Sequence, residues 1–595
     1  MIAGSGEQLI AAAIENATET APTDIEPVAK PRLLVESAAP DCTVEALRDL
    51  LARTRELYDR GVPVRLAYDQ TQDGVVAQML TPDVLVLIAH RFCRPYARKE
   101  KKGEIVEVDV RLPRQFAVMY LDWRGEWRLP PLNGIASAPL LDDAGNIHAK
   151  VGYDAASGIW CERVPDLTPL LPAHPTRGDA ERALVVLRDA FRTFCFADAP
   201  MVEKAGVAVV DIDRTPGMDE SAFLTAMLTA VCRPSLPLAP GVLIRAASMS
   251  GAGAGKGLLA RCIAVVAFGR EPHAVTGGSS HEEMEKRISA ELMGGSPVLF
   301  LDNLNNFAVR SDLLASAITE RPARVRVLGR SQMVPLNATV FVVLTGNGLS
   351  VSEDLARRFL TIELDPRTED PEARRFPNDI KTDVWRERRK LLAAALTIWR
   401  WGRLSEDLSV GRAIGSFEMW SRWVRDPLVA LGCRDPVERL GEAKARDTRR
   451  QATAELFRAW WDQHHDRPMA LRELDEHVVR LVDPQGRGRQ FVAAQFEKLA
   501  GTRIAGLVLT RQPPPGRWGV TTYSMSSAGD PENHGQHRGY RIEATSDAPY
   551  PPYAEGVPAP SADPGVAVSG PMPPMVPTGS APDHETEAGW HEVVE

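Results

Sequence analysis

The stretch Ala246-Ala-Ser-Met-Ser-Gly-Ala-Gly-Ala-Gly-Lys-Gly-Leu-Leu259 decides how this chain is read. An apolar run, Val242-Leu-Ile244, precedes it, and a helix-like apolar run, Leu258 to Phe268, follows. Strand, glycine-rich turn with one lysine, helix: that is the order a phosphate-binding loop needs. The glycines let backbone N–H groups converge on an anion, and the helix N-terminus adds the positive end of its dipole. Gly251, Gly253, Gly255, Lys256 and Gly257 are the candidate phosphate contacts, with Lys256 reaching the terminal phosphates. Two letters depart from the usual pattern. Ser250 stands where the first glycine is expected, and Gly257 where Ser or Thr ordinarily ligates magnesium.

The elements downstream give the loop its meaning. Pro297-Val-Leu-Phe-Leu-Asp302 is a buried-strand pattern ending in an acid, which in nucleotide hydrolases holds magnesium. Asn303 follows it. A second buried strand, Thr339 to Leu344, ends in Thr345-Gly-Asn347, where a polar side chain can orient an attacking water. Asp354-Leu-Ala-Arg-Arg358 offers Arg357 and Arg358 as charges for a neighbouring subunit's nucleotide. Ligands of open α/β sheets bind at the carboxyl ends of strands, and three such ends are involved. Each part also has a plain alternative: Asp302 capping a turn, Asn347 in a left-handed position between glycines, the arginines paired with Glu353 or Asp354. Between the two strands, the alternation around Gly329-Arg330 predicts a β-hairpin with a basic tip.

In this order the motifs resemble those of the superfamily 3 helicases, a branch of the AAA+ ATPases. More closely they are similar to the helicase halves of phage and plasmid primase-helicases. The resemblance covers about residues 60–545 and is most specific over 242–365. It implies a hexameric ring that moves on DNA using ATP and Mg2+, with Lys256 on phosphate, Asp302 on magnesium, Asn347 as sensor, Arg357 or Arg358 as arginine finger and Arg330 on DNA. Asn303 stands where many relatives carry a catalytic glutamate; Glu282, Glu283, Glu285 and Glu291 are the alternative acids. A primase or other replication protein is the further partner implied. Residues 1–175 show no primase site, so primase activity is not expected. The departures at Gly257 and Asn303 keep a second reading open: an ATP-binding, DNA-binding regulator or helicase loader that does not unwind.

Composition bounds these readings. The 595 residues are 44% hydrophobic and 25% charged, an ordinary soluble globular balance. No apolar run approaches the ~18 residues of a membrane span. The first residues lack the pattern of a secretory signal, so a cytoplasmic protein without membrane contact is expected. Seven scattered cysteines without a CxxC pair disfavour a zinc site or disulfide framework. The net charge of −9 is concentrated in the tail: residues 546–595 carry eight acids and no Lys or Arg, leaving −9 + 8 = −1 for the rest. Local basic patches are therefore possible, as in Arg91 to Lys102, where Phe92 and Tyr96 interleave the charges. Glu107 and Asp109, flanking Val108 on a strand, are explained by ordinary exposed alternation more economically than by metal binding.

The expected class is α/β: a P-loop, AAA+-like parallel-sheet core with flanking domains. Residues 1–40 are expected to be disordered, apart from a short helix near Leu9–Ile14. An α+β N-terminal domain follows at 41–175, with a helix from Thr43 through Tyr58. A helical connector at 176–237 leads to the ATPase core at 238–400 and a helical lid at 401–450. Residues 451–545 have the pattern of a winged helix: helices at Thr453–Gln463, Ala470–Val482 and Arg489–Leu499, then two strands. Arg489 and Lys498 on the third helix, with Arg511 and Arg517 on the wing, are its candidate contacts to single- or double-stranded DNA. Residues 546–595, with eleven prolines, are expected to be disordered.

Overall fold

Five parallel strands form the centre of the molecule, seen in a computed structural model. The structure describes residues 30–204, 206–246, 253–277, 280–305, 308–327, 329, 332–374, 376, 378–406, 408, 411, 413–439, 448–514 and 520–527. Gly251, Arg330 and Arg517 lie outside the described residues, as do Leu9–Ile14 and the tail at 546–595.

Across the sheet the strands run Ala274–Thr276, Val298–Asp302, Phe341–Asn347, Gly241–Ala246 and Phe359–Glu363. Every neighbouring pair is parallel. The strand that comes first in sequence thus lies between the fourth and the fifth. Helices cover the sheet, so its inner strands are buried on both faces and read as continuous apolar runs rather than alternation. Leu299, Phe300, Leu301, Val343 and Leu344 are all fully buried. The helix Lys256–Phe268 is the next described element after strand Gly241–Ala246, and the long helix Ile380–Leu404 packs against it and against Arg177–Phe191.

The divisions expected from composition are redrawn by the cores. One hydrophobic cluster runs from Ala138 to Cys433, a second from Leu33 to Trp127 and a third from Leu456 to Met525. The stretch at 176–237 is no connector. Its helices Arg177–Phe191 and Met218–Cys232 belong to the central core, and between them lies a β-hairpin, Met201–Lys204 with Val207–Val210. Nor is 401–450 a separate lid among its described residues. Trp420 and Trp423 are fully buried in the same core, with Trp423 stacked edge-on to Trp399 at 5.5 Å. Their indole N–H groups donate to Thr229 Oγ1 at 2.8 Å and Asp143 Oδ1 at 2.9 Å. Buried indole N–H groups usually find such partners, and truncating a buried tryptophan typically costs ~3–5 kcal/mol.

The N-terminal part holds both helices and strands, and its ordered elements begin before residue 41. Arg32–Leu34 is a strand pairing in parallel with Arg94–Lys101, so the disorder expected through residue 40 does not extend to it. The helix expected from Thr43 to Tyr58 instead spans Pro40–Ala52, and Leu57–Asp59 turns into a strand. Arg60 ties this part to the core: its buried guanidinium donates to Leu132 O, Leu292 O and Met293 O. The last two are orphan carbonyls at the C-terminus of helix His281–Gly294. Burial lowers the pKa of Arg60 to about 10. Among the described residues no helix is long and apolar enough to cross a membrane.

The C-terminal cluster holds helices Thr448–His464, Glu476–Val482 and Arg489–Leu499. The expected second helix is shorter at its start, because Met469–Ala470 pairs as a strand and Leu471–Glu473 forms a 3-10 turn. The sheet accordingly has four strands rather than two.

Candidate functional site

The tips of three adjacent strands gather the residues singled out above. Ala246, last in strand Gly241–Ala246, is the register partner of Asn347, and Gly348 N donates to Ala246 O at 3.1 Å. Beyond the undescribed residues 247–252, Gly253 and Gly255 have φ of +72° and +87°, a region open to glycine at little cost. Gly255 is the N-cap of helix Lys256–Phe268, whose first N–H groups lack intrahelical partners and face the loop. The outer side of the loop is packed. Cys195 Sγ lies 3.6 Å from Ala254 O, and a Cβ on Gly253 would lie 2.9 Å from Glu372 Cγ. Burial holds the Lys256 ammonium below its ordinary pKa, with the Asp302 charge pulling the other way.

Asp302 stands at the end of the neighbouring-but-one strand and is held from two sides. Thr345, only 1% exposed, donates its hydroxyl to Asp302 Oδ1. The Arg261 guanidinium approaches Oδ2 at 3.6 Å. A Cβ built on Gly257 would lie 3.4 Å from Asp302 Oδ1, so position 257 faces the carboxylate directly. A magnesium ion that keeps most of its waters and takes one carboxylate plus substrate phosphates suits this donor set. Asp302 would hold it, and position 257 adds no second ligand. Among the described residues no group of three or more His, Cys, Asp or Glu is placed to hold a metal ion.

Asn303 adopts φ of +61°, a left-handed conformation that asparagine tolerates, and its N–H points to Thr345 Oγ1 at 3.3 Å. Asn305 links the two strand tips: its Nδ2 donates to Asn303 Oδ1 at 2.5 Å, and its Oδ1 accepts from Asn347 N at 2.8 Å. Asn347 Oδ1 is buried without a hydrogen-bond partner. Beside these tips lies a cleft of about 440 Å³ lined by Arg245, Ala246, Gly348, Ser350, Glu363 and Asp365 among others.

The remaining candidates are placed elsewhere. Gly241 N donates to Arg358 O at 2.9 Å, which sets the arginine pair at the amino end of the sheet, opposite the loop. Arg358 is 16% exposed and donates to Ala315 O at 2.8 Å and Thr319 Oγ1 at 2.6 Å. Arg357 is 69% exposed and pairs with Asp354. Of the alternative acids, Glu282 and Glu283 pair with Lys286 and Arg287 on the first turns of their helix. Glu285 accepts from Ser311 Oγ, and Glu291 lies at the far end, its pKa raised by burial. None of the four hydrogen-bonds to Asp302 or Asn347. The basic hairpin forms from Ala323–Val327 and Gln332–Leu336, with Arg324 and Arg326 exposed on one face. Glu107 and Asp109 meet Arg32, at 3.7 Å for Asp109, as an exposed charge pairing. On helix Arg489–Leu499 the buried Val492 and Phe496 leave Arg489 and Lys498 exposed, while Arg511 approaches Glu497 at 3.7 Å.

Sequence reading passed over three residues of the site: Thr345, Asn305 and Arg261. Thr345 was visible as the residue just before Gly346-Asn347, but only strand pairing shows it turned toward Asp302. Arg261 gave no local signal.

No family model and no curated protein matches this chain. Among solved structures it is similar to the A form apo structure of the NrS-1 C-terminal region, at 10% identity over 56% of this chain and 84% of that chain. The TM-score is 0.28, and a likeness that loose carries no argument about activity.

Proposed function

We propose that the chain is an ATP-dependent DNA translocase of the helicase type, acting in the replication of a mobile element such as a phage or plasmid. The observation that carries this reading is the juxtaposition of the loop, Asp302 and Asn347 at the carboxyl ends of adjacent parallel strands, where open α/β sheets hold nucleotides. In this reading the loop glycines and the N-terminus of helix Lys256–Phe268 cradle the phosphates, and Lys256 neutralises the terminal ones. Thr345 and Asn305 hold Asp302, Asn303 and Asn347 in register around the γ-phosphate. Magnesium, when bound at Asp302, supplies charge that offsets the phosphate oxygens. Arg357, exposed at the opposite end of the sheet, is the better finger for a neighbouring copy; Arg358 is committed to Ala315 and Thr319. Single-stranded DNA would follow the basic hairpin, and the C-terminal cluster would add Arg489, Lys498 and Arg511 to duplex contact.

The test is ATP hydrolysis with and without single-stranded DNA, paired with unwinding of a forked duplex. DNA-stimulated turnover that Lys256→Ala abolishes is expected. No hydrolysis in either condition, with Lys256→Ala indistinguishable from wild type, ends the motor reading. A second reading, an ATP-binding regulator or helicase loader on DNA, is favoured by Gly257 and Asn303, which leave the site without a hydroxyl ligand and without an adjacent general base. ATP-dependent strand displacement would exclude it.

A further inference from the structure

Arg261 stands between two carboxylates and is hydrogen-bonded to neither. Its Nη2 lies 3.6 Å from Asp302 Oδ2 and its Nε 3.9 Å from Glu271 Oε2. Both distances exceed hydrogen-bond range. The guanidinium rests over the Phe300 ring, 4.9 Å from its centroid, a cation–π contact that does not depend on either carboxylate. Its Nη1 is buried without a hydrogen-bond partner. Glu271, the alternative anion, already holds Lys381 Nζ at 2.8 Å, near the start of the long helix Ile380–Leu404.

This arrangement bears on how the site takes a divalent cation. A cation on Asp302 would meet a guanidinium only a few ångströms away, and at such separations like charges in a partly buried site repel strongly. With no hydroxyl at Gly257, nothing else in the loop helix offsets that repulsion. Among the described residues, the other anion toward which Arg261 already leans is Glu271.

We propose that Arg261 is a positioning residue that serves as the resident counter-charge of Asp302 in the cation-free site and moves to Glu271 when a divalent cation binds. Arg261 and Glu271 together then set the cation concentration the site requires. This rests on the nucleotide reading above and deepens it: the site binds nucleotide without a divalent cation and takes up the cation weakly.

The experiment uses the full chain and a fluorescent, non-hydrolysable ATP analogue, with Mg2+ titrated at fixed analogue and Mn2+ binding followed in parallel by electron paramagnetic resonance. Arg261→Gln should lower the half-saturating Mg2+ about tenfold, a tenfold change being about 1.4 kcal/mol. Glu271→Gln should raise it several-fold, because Arg261 loses its second partner. In the double variant the Glu271→Gln effect should vanish, as coupling through Arg261 demands. Shifts in the same direction, shifts under about twofold, or a Glu271→Gln effect that persists undiminished in the double variant would overturn the proposal. If Arg261→Gln fails to fold, Glu271→Gln decides alone: its midpoint must rise. Absence of analogue binding by wild type at every Mg2+ concentration sinks the nucleotide reading itself. Normal binding with unmoved midpoints sinks only the role of Arg261.

Discussion

Thr345 and Asp302 meet across two neighbouring strands: the threonine hydroxyl donates to the carboxylate and at the same time accepts from Asn303 N. One buried side chain thereby fixes both the acid and the turn that follows it. Thr345→Val keeps the shape and removes both bonds. It should cost about 1–3 kcal/mol in chemical denaturation, since two polar partners lose their mate. In kinetics it should lower turnover more than nucleotide affinity. A variant with full turnover would mean Asp302 needs no such support.

Gly257 offers a gain-of-function test. The backbone there is helical, and the nearest side-chain atoms to a Cβ are those of the Asp302 carboxylate, at ordinary contact distance from 3.4 Å. Gly257→Ser adds a hydroxyl within reach of a cation on Asp302; Gly257→Ala adds only the methyl. Both should stabilise the helix by up to ~1 kcal/mol. Only the serine variant should reduce the Mg2+ needed for half-maximal hydrolysis, measured by phosphate release. Equal behaviour of the two variants would show that position 257 does not face the cation.

Lys256 carries a pH prediction. Burial holds its folded pKa below the 10.5 of an unperturbed lysine, so in the interval between those values the folded state binds fewer protons than the unfolded one. Stability contributed through this group therefore rises with pH across that interval. Phosphate binding needs the charged form, so nucleotide affinity should fall over the same interval. Lys256→Met should remove the alkaline loss of affinity together with most of the affinity. It should leave the melting temperature of the nucleotide-free protein unchanged or raised by about 2 °C. Calorimetric titration at several pH values checks the first, a thermal melt the second.

The arginine pair separates by role. Arg358→Ala should destabilise the fold by about 1–3 kcal/mol, because Ala315 O and Thr319 lose a charged donor. Arg357→Ala should leave the melting temperature within about 1 °C of wild type and reduce hydrolysis only where copies associate. Mixing Arg357→Ala protein with Lys256→Ala protein then distinguishes action on a neighbour from action on the same chain. Partial recovery of hydrolysis in the mixture is the expected outcome.

The parts of the fold legible in the sequence are those with local signals. Val298–Asp302 and Phe341–Asn347 were readable because strands buried on both faces are continuous apolar runs ended by a polar residue. Gly253 and Gly255 carry a local signal because glycine is the residue that positive φ favours. Other parts depended on partners far along the chain. The stretch at 401–450 reads locally as a separate helical lid, but the indoles of Trp420 and Trp423 bond Thr229 and Asp143 of the central body. Met201–Lys204 and Val207–Val210 are too short for periodicity to declare, and Arg261 became visible only when Asp302 was brought beside it by the sheet.

The bond from Gly241 N to Arg358 O has a consequence for symmetry. The strand that leads into the loop has Gly241 at one end and Ala246 at the other, about 17 Å away. A copy that lends Arg357 to its neighbour's nucleotide must offer the end of its sheet that is not holding its own. Such a contact joins unlike surfaces. A two-fold pair makes it only by placing both ends of the sheet in one interface, each copy's arginine at the other's nucleotide; head-to-tail association needs just one end from each copy, and it closes into a ring or runs on as a filament according to the turn between successive copies.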